Sequence, residues 1–258
     1  LQFRKKVIEP LGESRSDAWI ACQLARRLGF SEEFWDGDFD EACREILAPS
    51  GIDLEDLKRT PRGITVPLQT KYKKYADSSD FGTTGFATPS RRVEIFSETF
   101  FENGYPALPE YVEPAMGPVS RPELFGCFPL VLTDTKSPHF IHSQFRHVGG
   151  LRRHEREPRI HVHPDTATRR GIEEGDWINI KTPHGSARAT VRFSSTLHPR
   201  VVRATVGWWQ SCETLSLSGY DIETNQSANI NGAIGNKDVD PVGGCVPHKS
   251  YLCEIERV

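Results

Sequence analysis

The pattern of apolar positions divides the sequence into a helical, an irregular and a strand-rich part. In residues 1–60, Ile20, Leu24 and Leu28 repeat at helical spacing, which predicts a helix capped by Ser14 or Ser16 and ended by Gly29. A turn at 31–35 and further helical segments over 39–47 and 53–58 follow. We interpret Trp19 and Trp35 as core residues, and we find no candidate chemistry in this helical part.

Residues 61–125 lose this periodicity. Pro, Gly, Ser and Thr are frequent, and five prolines fall between positions 106 and 122. A short stretch, 93–96, alternates like a strand, with Val93 and Ile95 on one face. The composition predicts an extended connector between two compact parts.

Residues 126–258 contain many short apolar stretches separated by tight turns. One short helix is predicted over 164–170, with Asp165 near its start and Gly171 at its end. The turns at 174–176 and 183–185 each join neighbouring strands. Short strands with tight turns are typical of a small closed barrel. The predicted strands are 129–133, 159–163, 177–182, 186–193, 201–206 and 251–256.

Composition narrows the class of protein. The 258 residues are 37% hydrophobic and 26% charged, which fits a soluble globular protein large enough to bury a core. The net charge of −3 argues against a general nucleic-acid surface, and no apolar run reaches the ~18 residues of a membrane span. The sequence opens on Leu1 without a start Met, so we expect a processed product or a piece of something longer. The compartment, cytoplasmic or periplasmic, stays open.

The six cysteines are scattered and form no Cys-x-x-Cys motif. This spacing gives no support for a zinc knuckle or an iron–sulfur cluster, and we expect reduced, mostly buried thiols. The sequence also contains no Ser-His-Asp order in a nucleophile-elbow context, no G-x-x-x-x-G-K-S/T motif and no G-x-G-x-x-G motif. Hydrolase and nucleotide-triphosphatase functions therefore gain no support.

The strongest candidate chemistry lies between Phe128 and Gln144. A short apolar run ends at Thr133-Asp134-Thr135-Lys136, and His142-Ser143-Gln144 follows a few residues later. A strand end that carries hydroxyls, an imidazole and an amide is a common place to hold a small ligand. From these residues alone, an ordinary strand and turn is an equally open interpretation.

Several blocks in one order give this region a family resemblance. Over roughly 175 residues, the sequence resembles the C-terminal part of molybdopterin oxidoreductases of the dimethyl-sulfoxide-reductase type, including their dinucleotide-binding domain. Residues 1–60 match only loosely, as the tail of a preceding domain. The blocks are GFATPSRRVE (85–94), TDTK (133–136), HSQ (142–144), IHVHPDTA (160–167), GIEEGDWI (171–178), GWW (207–209), SANIN (227–231) and DPVGG (240–244), followed by Lys249 and the final strand.

The resemblance implies a fold and a domain organisation. The fold is mostly β with some α: a six-stranded double-psi β-barrel of the aspartate-decarboxylase-like kind, preceded by a helical segment and an extended connector. Residues 1–60 would be the helical tail, 61–125 the connector, and 126–258 the molybdopterin dinucleotide-binding barrel. The metal ligand and the cysteine-rich cluster site of the family lie upstream of this segment, so we interpret the chain as the C-terminal portion of a larger enzyme.

The resemblance also implies a cofactor, molybdenum or tungsten bound by two pyranopterin guanine dinucleotides. An iron–sulfur cluster would be confined to the missing N-terminal part. Expected partners are the missing N-terminal domains and an electron-transfer subunit, with no nucleic acid and no membrane span. The residues implied to contact the pterin or phosphate groups are Thr133, Thr135, Lys136, His142, Ser143, Gln144, Trp208, Asn229 and Lys249.

Local features leave some alternatives open. Many relatives have Thr-Gly-Arg at the first loop, so Lys136 would meet phosphate as a point charge and without the fork of arginine. The arginine-rich segment 146–159 suits a pyrophosphate or, as we prefer, is a solvated charged loop. The nearby histidines lack the usual zinc spacings. Of Trp208 and Trp209, one would cover the cofactor and the other would pack.

Three functions remain in view at this point. The first is an oxidoreductase whose metal lies elsewhere in the enzyme, with this segment predicted inactive alone. The second is a non-catalytic binding module, because the barrel fold alone does not fix function. The third is a hydratase or hydroxyl-transfer enzyme that uses the same cofactor without net redox change.

Overall fold

The computed structural model describes residues 1–67, 71–79, 82–222, 224, 227–247 and 249–258. The chain divides into two compact units, Leu1–Ala107 and Leu108–Val258. Each unit has its own buried apolar cluster.

The first unit contains the three predicted helices, α1 (Asp17–Leu28), α2 (Phe39–Leu47) and α3 (Leu54–Arg59). Ser16 caps α1 by accepting a hydrogen bond from the backbone N–H of Trp19, and Gly29 ends it with φ of 88°. Three short 3₁₀ turns, a two-stranded ladder of β1 (Ser78–Ser79) and β2 (Gly82–Thr83), and α4 (Glu98–Glu102) complete the unit.

Burial in the first unit differs from two predictions. Trp19 is 47% exposed and is therefore not a core residue. The helical periodicity of Ile20, Leu24 and Leu28 is correct, yet all three are more than half exposed, because the small core gathers around Leu47, Leu54 and Leu57 instead. Periodicity reports a helix and its apolar face but does not report what covers that face.

The strand predicted over 93–96 does not form. Val93 and Ile95 are 67% and 74% exposed, and the chain there is irregular before α4 begins. A two-residue alternation specifies a strand only when a partner supplies the ladder of hydrogen bonds.

The second unit is built on a closed six-stranded barrel, as predicted. A short helix, α5 (Pro122–Phe125), precedes it, and α6 (Gly149–Arg152) and α7 (Pro164–Thr168) lie in its connections. The strands are neighbours in the order β3-β7-β4-β6-β5-β8, and the last pairs with the first. Their bounds are β3 (Leu130–Thr135), β4 (Arg159–Val162), β5 (Trp177–Thr182), β6 (Gly185–Phe193), β7 (Val201–Thr205) and β8 (Tyr251–Arg257).

Two of the six strand pairs in the barrel are parallel. β3 runs parallel to β7 and β4 runs parallel to β6, while the other four pairs are antiparallel. The turn predicted at Pro183 closes the β5–β6 hairpin, where Thr182 pairs with Gly185. Because β3 and β7 are parallel, their carboxyl ends emerge at the same end of the barrel.

Alternation along each strand fills the barrel. In β4, Ile160 and Val162 are fully buried while Arg159 and His161 point outward and are half-buried. The interior also takes Ile178, Val191 and Val202, and each such side chain contributes about 1.5–3 kcal/mol by leaving water. The apolar interior therefore fixes the register of the strands and, with it, the position of the loops at their ends.

All six cysteines are free thiols, and three of them, Cys22, Cys212 and Cys253, are buried. Burial raises the pKa of the Cys253 thiol, so this thiol stays protonated. Among the described residues, no helix is both long and apolar enough to cross a membrane.

Candidate functional site

Two loops meet at the end of the barrel where β3 and β7 finish. After β3, the chain reverses at 141–144, where the Gln144 N–H donates to the Ile141 carbonyl (2.8 Å) and His142 adopts φ of 50°. After β7, Gly207 adopts φ of 80°. A Cβ on Gly207 would lie 2.8 Å from the Ser143 Cα and 3.2 Å from the His142 carbonyl oxygen. The two backbones touch there because position 207 has no side chain.

This contact forms part of the wall of a cavity of about 340 Å³. The wall combines an imidazole, a hydroxyl and an amide with an indole and aliphatic groups, a mixture typical of small-molecule sites. The sequence predicted His142 and Ser143 as ligand contacts, and the structure brings these two together. The lining residues are His142, Ser143, Val206, Gly207, Trp209, Asn231, Ile234 and Val246.

A buried arginine holds both loops in place. The guanidinium of Arg146, only 1% exposed, donates from Nη1 to the His142 carbonyl (2.6 Å) and from Nη2 to the Val206 carbonyl. The backbone N–H of Arg146 donates to Oε1 of Gln210 (3.1 Å). Burial lowers the pKa of Arg146 to about 10, which leaves the side chain charged at neutral pH. Arg146 therefore ties the two walls of the cavity to each other.

The arginine-rich segment is only in part the solvated loop that we predicted, because Arg153 and Arg156 are exposed whereas Arg146 and Arg152 are buried. Arg152 is fully buried and donates from Nη1 to the carbonyls of Arg146 and Gln210, both at 3.1 Å. Glu155 is also buried, at 4% exposure. Guanidinium groups can saturate several backbone carbonyls at once, so these arginines stabilise an irregular loop that has no regular hydrogen-bond ladder. Charge composition does not reveal this role, because buried arginines are rare.

The assignment of Trp208 to the ligand has to be corrected. Trp208 is 0% exposed, and its Nε1–H donates to Oγ1 of Thr205 (2.8 Å). The guanidinium carbons of Arg146 and Arg152 lie 4.7 and 4.8 Å from its ring centroid. A side chain enclosed in this way offers no face to a ligand, whereas Trp209 lines the cavity. Of the two tryptophans, Trp208 packs and Trp209 faces the ligand space.

The other predicted contacts of the first loop are absent from the described lining of the cavity. Thr133 and Thr135 are half-buried at the end of β3, opposite Arg203 and Thr205 of β7. Lys136 and Gln144 are exposed on the chain that follows.

Lys249 forms an ion pair with the aspartate that sets this loop apart from its relatives. The Lys249 Nζ lies 2.6 Å from Oδ1 of Asp134 and donates to the Asp134 carbonyl at 3.2 Å. The Asp134 side chain is 8% exposed and the Lys249 side chain 59%. The lysine therefore compensates a nearly buried carboxylate, which reduces the positive charge that it could offer to a phosphate.

The structural roles of Asn229 and Asn231 differ from the prediction that Asn229 contacts the ligand. Asn229 caps a 3₁₀ turn, Ile230–Ala233, since its Oδ1 accepts from the Asn231 N–H (3.2 Å). Asn231, which was not among the predicted contacts, lines the cavity. The turn is anchored because Thr182 donates to the Ala233 carbonyl (2.6 Å). A motif of alternating asparagines marks the segment but does not tell which amide faces the ligand.

The described residues contain no group of three or more His, Cys, Asp or Glu side chains arranged to hold a metal ion. His139 and His154 stack on each other, with ring centroids 4.8 Å apart. His163 caps α7 by accepting from the Asp165 N–H at 3.1 Å. These histidines therefore have structural contacts of their own.

The structure is thus a closed, mixed six-stranded barrel with a cavity of polar and apolar side chains where the parallel strands β3 and β7 end. Residues 130–252 match the model of the family described as "Molydopterin dinucleotide binding domain". The chain is 30% identical over 206 residues to acetylene hydratase of Syntrophotalea acetylenica, covering 80% of this chain and 27% of that protein. It is 26% identical over 278 residues to the dimethyl sulfoxide/trimethylamine N-oxide reductase of Rhodobacter capsulatus, covering 98% and 32%.

The fold agrees with these sequence relationships. The structure of acetylene hydratase from Pelobacter acetylenicus superposes with a TM-score of 0.77 at 27% identity, over 98% of this chain and 34% of that one. The chain thus spans about a quarter to a third of the length of these relatives. Its barrel is a molybdopterin dinucleotide-binding domain, and its relatives include molybdopterin enzymes of the dimethyl-sulfoxide-reductase type.

The residues present fit a pterin cofactor. A pterin edge is a row of hydrogen-bond donors and acceptors, and the cavity wall offers both kinds through Ser143 and Asn231. The missing side chain at Gly207 lets the two loops touch, so that His142, Ser143 and Gly207 form one continuous wall. A volume of about 340 Å³ is near the lower limit of ligand pockets, so it suits one portion of a dinucleotide and not the whole.

Proposed function

We propose that this chain is the cofactor-closing part of a larger molybdopterin enzyme and binds the pterin and phosphate portion of a bis-pterin guanine dinucleotide. The observation that carries the proposal is the cavity where His142 and Ser143 meet Gly207, inside a domain of the dinucleotide-binding family. When bound, the metal and its dithiolene ligands would supply redox or oxygen-atom-transfer chemistry. The metal is molybdenum or tungsten.

In this proposal the cavity residues bind and orient one pterin edge. Ser143 and Asn231 pair with its donors and acceptors, His142 adds an imidazole, and Trp209 excludes water from one face. Arg146 takes no part in binding; it fixes the distance between the walls. The remaining predicted residues would serve the phosphates, and these are Thr133, Thr135, Lys136, Gln144, Asn229 and Lys249.

The chemistry itself requires polypeptide other than residues 1–258. No described cluster of side chains is arranged to hold a metal, and the relatives are three to four times as long as the matched segment. We therefore propose that preceding domains supply the metal ligand, the second half of the cofactor cleft and any iron–sulfur cluster. An electron-transfer subunit would be a partner if the reaction is a redox one.

Substitution of the cavity residues in the intact protein tests the proposal. We expect Ser143→Ala and His142→Ala to lower the amount of pterin that remains bound after dialysis, because each change removes a polar contact worth about 0.5–1.5 kcal/mol. His147→Ala is the matched control, since His147 is exposed in the same loop and is absent from the described cavity wall. Equal pterin content in all three variants would contradict the assignment of the cavity.

A second candidate function is water addition without net redox change. It is favoured by one observation, that acetylene hydratases stand among both the sequence and the structural relatives. Turnover assays with and without an external electron acceptor separate the two functions. An oxidoreductase needs the acceptor or a donor for every turnover, whereas a hydratase turns over substrate without either.

A further inference from the structure

A row of three basic side chains crosses the outer face of the barrel, and none of the three lines the described cavity wall. His161 of β4 lies opposite Arg203 of β7 and next to Arg192 of β6 in strand register. Neighbouring strands are about 4.8 Å apart, so the two arginines start roughly 10 Å from each other with the imidazole between them. Ile160 and Val162 on either side of His161 are buried, which directs the row outward.

Hydrogen bonding fixes the chemical character of this row. Nη2 of Arg203 lies 3.1 Å from Nδ1 of His161. A guanidinium carries only N–H donors, so Nδ1 must be the acceptor and the proton of the neutral imidazole must sit on Nε2. The row Arg192–His161–Arg203 therefore presents donors from all three side chains and no free acceptor.

The surrounding charges do not balance this row. Arg192 has one carboxylate neighbour, Glu174, at 3.8 Å. Within the described residues, Arg203 and the adjacent Arg159 have no carboxylate at ion-pair distance, and their Nε–H groups are buried without a hydrogen-bond partner. Burial and then the charges of Arg203, Arg159 and Arg192 lower the pKa of His161, with Glu174 opposing them. Unpaired, half-buried guanidiniums and unmet donors destabilise the fold unless an anion compensates them.

We infer that the row Arg192–His161–Arg203 is a binding site for a phosphate-type oxyanion. Such an anion offers several acceptor oxygens to the donors of the row, and guanidinium groups bind it through paired, charge-assisted hydrogen bonds. The half-burial of these side chains limits the site to a small group and not an extended surface. The site is distinct from the described cavity, because none of the three residues lines its wall.

Phosphate binding to the intact protein, measured by equilibrium dialysis with labelled inorganic phosphate at constant ionic strength, tests the inference. We expect Arg203→Gln and Arg192→Gln each to weaken binding about tenfold or more, since a charged hydrogen bond is lost. Arg169→Gln is the control, because Arg169 is equally an arginine of the barrel unit but is exposed away from the row. Circular dichroism melting of each variant confirms that it is folded.

A His161→Gln variant and an acetate arm complete the experiment. We expect His161→Gln to weaken phosphate binding less than either arginine variant, because an amide N–H replaces the imidazole donor but no formal charge is lost. Phosphate affinity that is the same in wild type and Arg203→Gln would overturn the inference. Acetate binding as tight as phosphate binding would also overturn it, since the ligand class would then be a carboxylate.

Discussion

Substitution of Gly207 is the sharpest single test of the contact between the two loops at the cavity. Gly207→Ala introduces two costs. The residue has φ of 80°, where an L side chain is disfavoured by about 1–2 kcal/mol. The new Cβ would also lie 2.8 Å from the Ser143 Cα, a backbone atom that cannot rotate away, and such overpacking costs about 1–3 kcal/mol. We therefore expect a loss of about 2–5 kcal/mol of unfolding free energy.

Gly171→Ala separates these two costs. Gly171 also has positive φ, 63°, but an added Cβ there meets no atom within 4 Å. It should lose only the conformational part, about 1–2 kcal/mol. Urea denaturation of both variants, monitored by tryptophan fluorescence, gives the difference, and pterin retention in the intact protein gives the effect on the site. If Gly207→Ala matched Gly171→Ala in stability and kept its pterin, the close contact between the two loops would be refuted.

Four further outcomes follow from the structure. Trp208→Ala should cost about 3–5 kcal/mol in urea denaturation, because it empties a fully buried site; a cost below 1 kcal/mol would contradict that burial. Lys249→Met should destabilise by about 1–3 kcal/mol and more than Asp134→Asn, since the first change leaves a buried carboxylate unpaired and the second leaves an exposed ammonium; the reverse order in thermal melting would argue against the pair. Because the pKa of His161 is lowered from 6.5 in the folded state, the unfolded chain takes up the proton first, and stability falls as pH drops below about 6.5. His161→Gln should flatten this decline in a pH series of melting curves, and an unchanged slope would show that other groups cause it. Residues 1–258 alone should show no turnover in acceptor-dependent or acceptor-free assays, and measurable activity would place the metal ligand inside this chain.

The barrel was predictable because its signals are local and consistent. Each strand alternates or runs apolar over four to nine residues, and turns such as Pro183-His184-Gly185 punctuate them. The strand order β3-β7-β4-β6-β5-β8 did not follow from these signals, since pairing depends on contacts far apart in sequence. The family resemblance supplied the barrel type, and the structure supplied the order of its strands.

The candidate site was predictable only in part. His142 and Ser143 could be recognised from the sequence, because they are polar residues shortly after a buried strand. The role of Arg146 could not be recognised in the same way, because it depends on burial and on the backbone carbonyl of Val206, which is 60 residues away in sequence. The distinction between Trp208 and Trp209 likewise requires knowing which face of the chain after β7 turns inward.

In the helical first unit, the limits of the helices were predictable but the burial of their side chains was not. Its helix limits followed closely from caps such as Ser16 and Asp53 and from Gly29. Its burial did not, since Trp19 and the apolar stripe of α1 are exposed. Helix signals lie within one or two turns of chain, whereas the core is decided by what packs on each face.

The most direct test of the central claim is the cofactor content of the intact protein. We would purify it anaerobically and measure molybdenum and tungsten by mass spectrometry together with guanine nucleotide released on acid hydrolysis. If the protein holds a bis-pterin guanine dinucleotide cofactor, we expect one of the two metals and about two guanine nucleotides for each metal ion. A folded, intact protein that contained neither metal and no guanine nucleotide would contradict this claim.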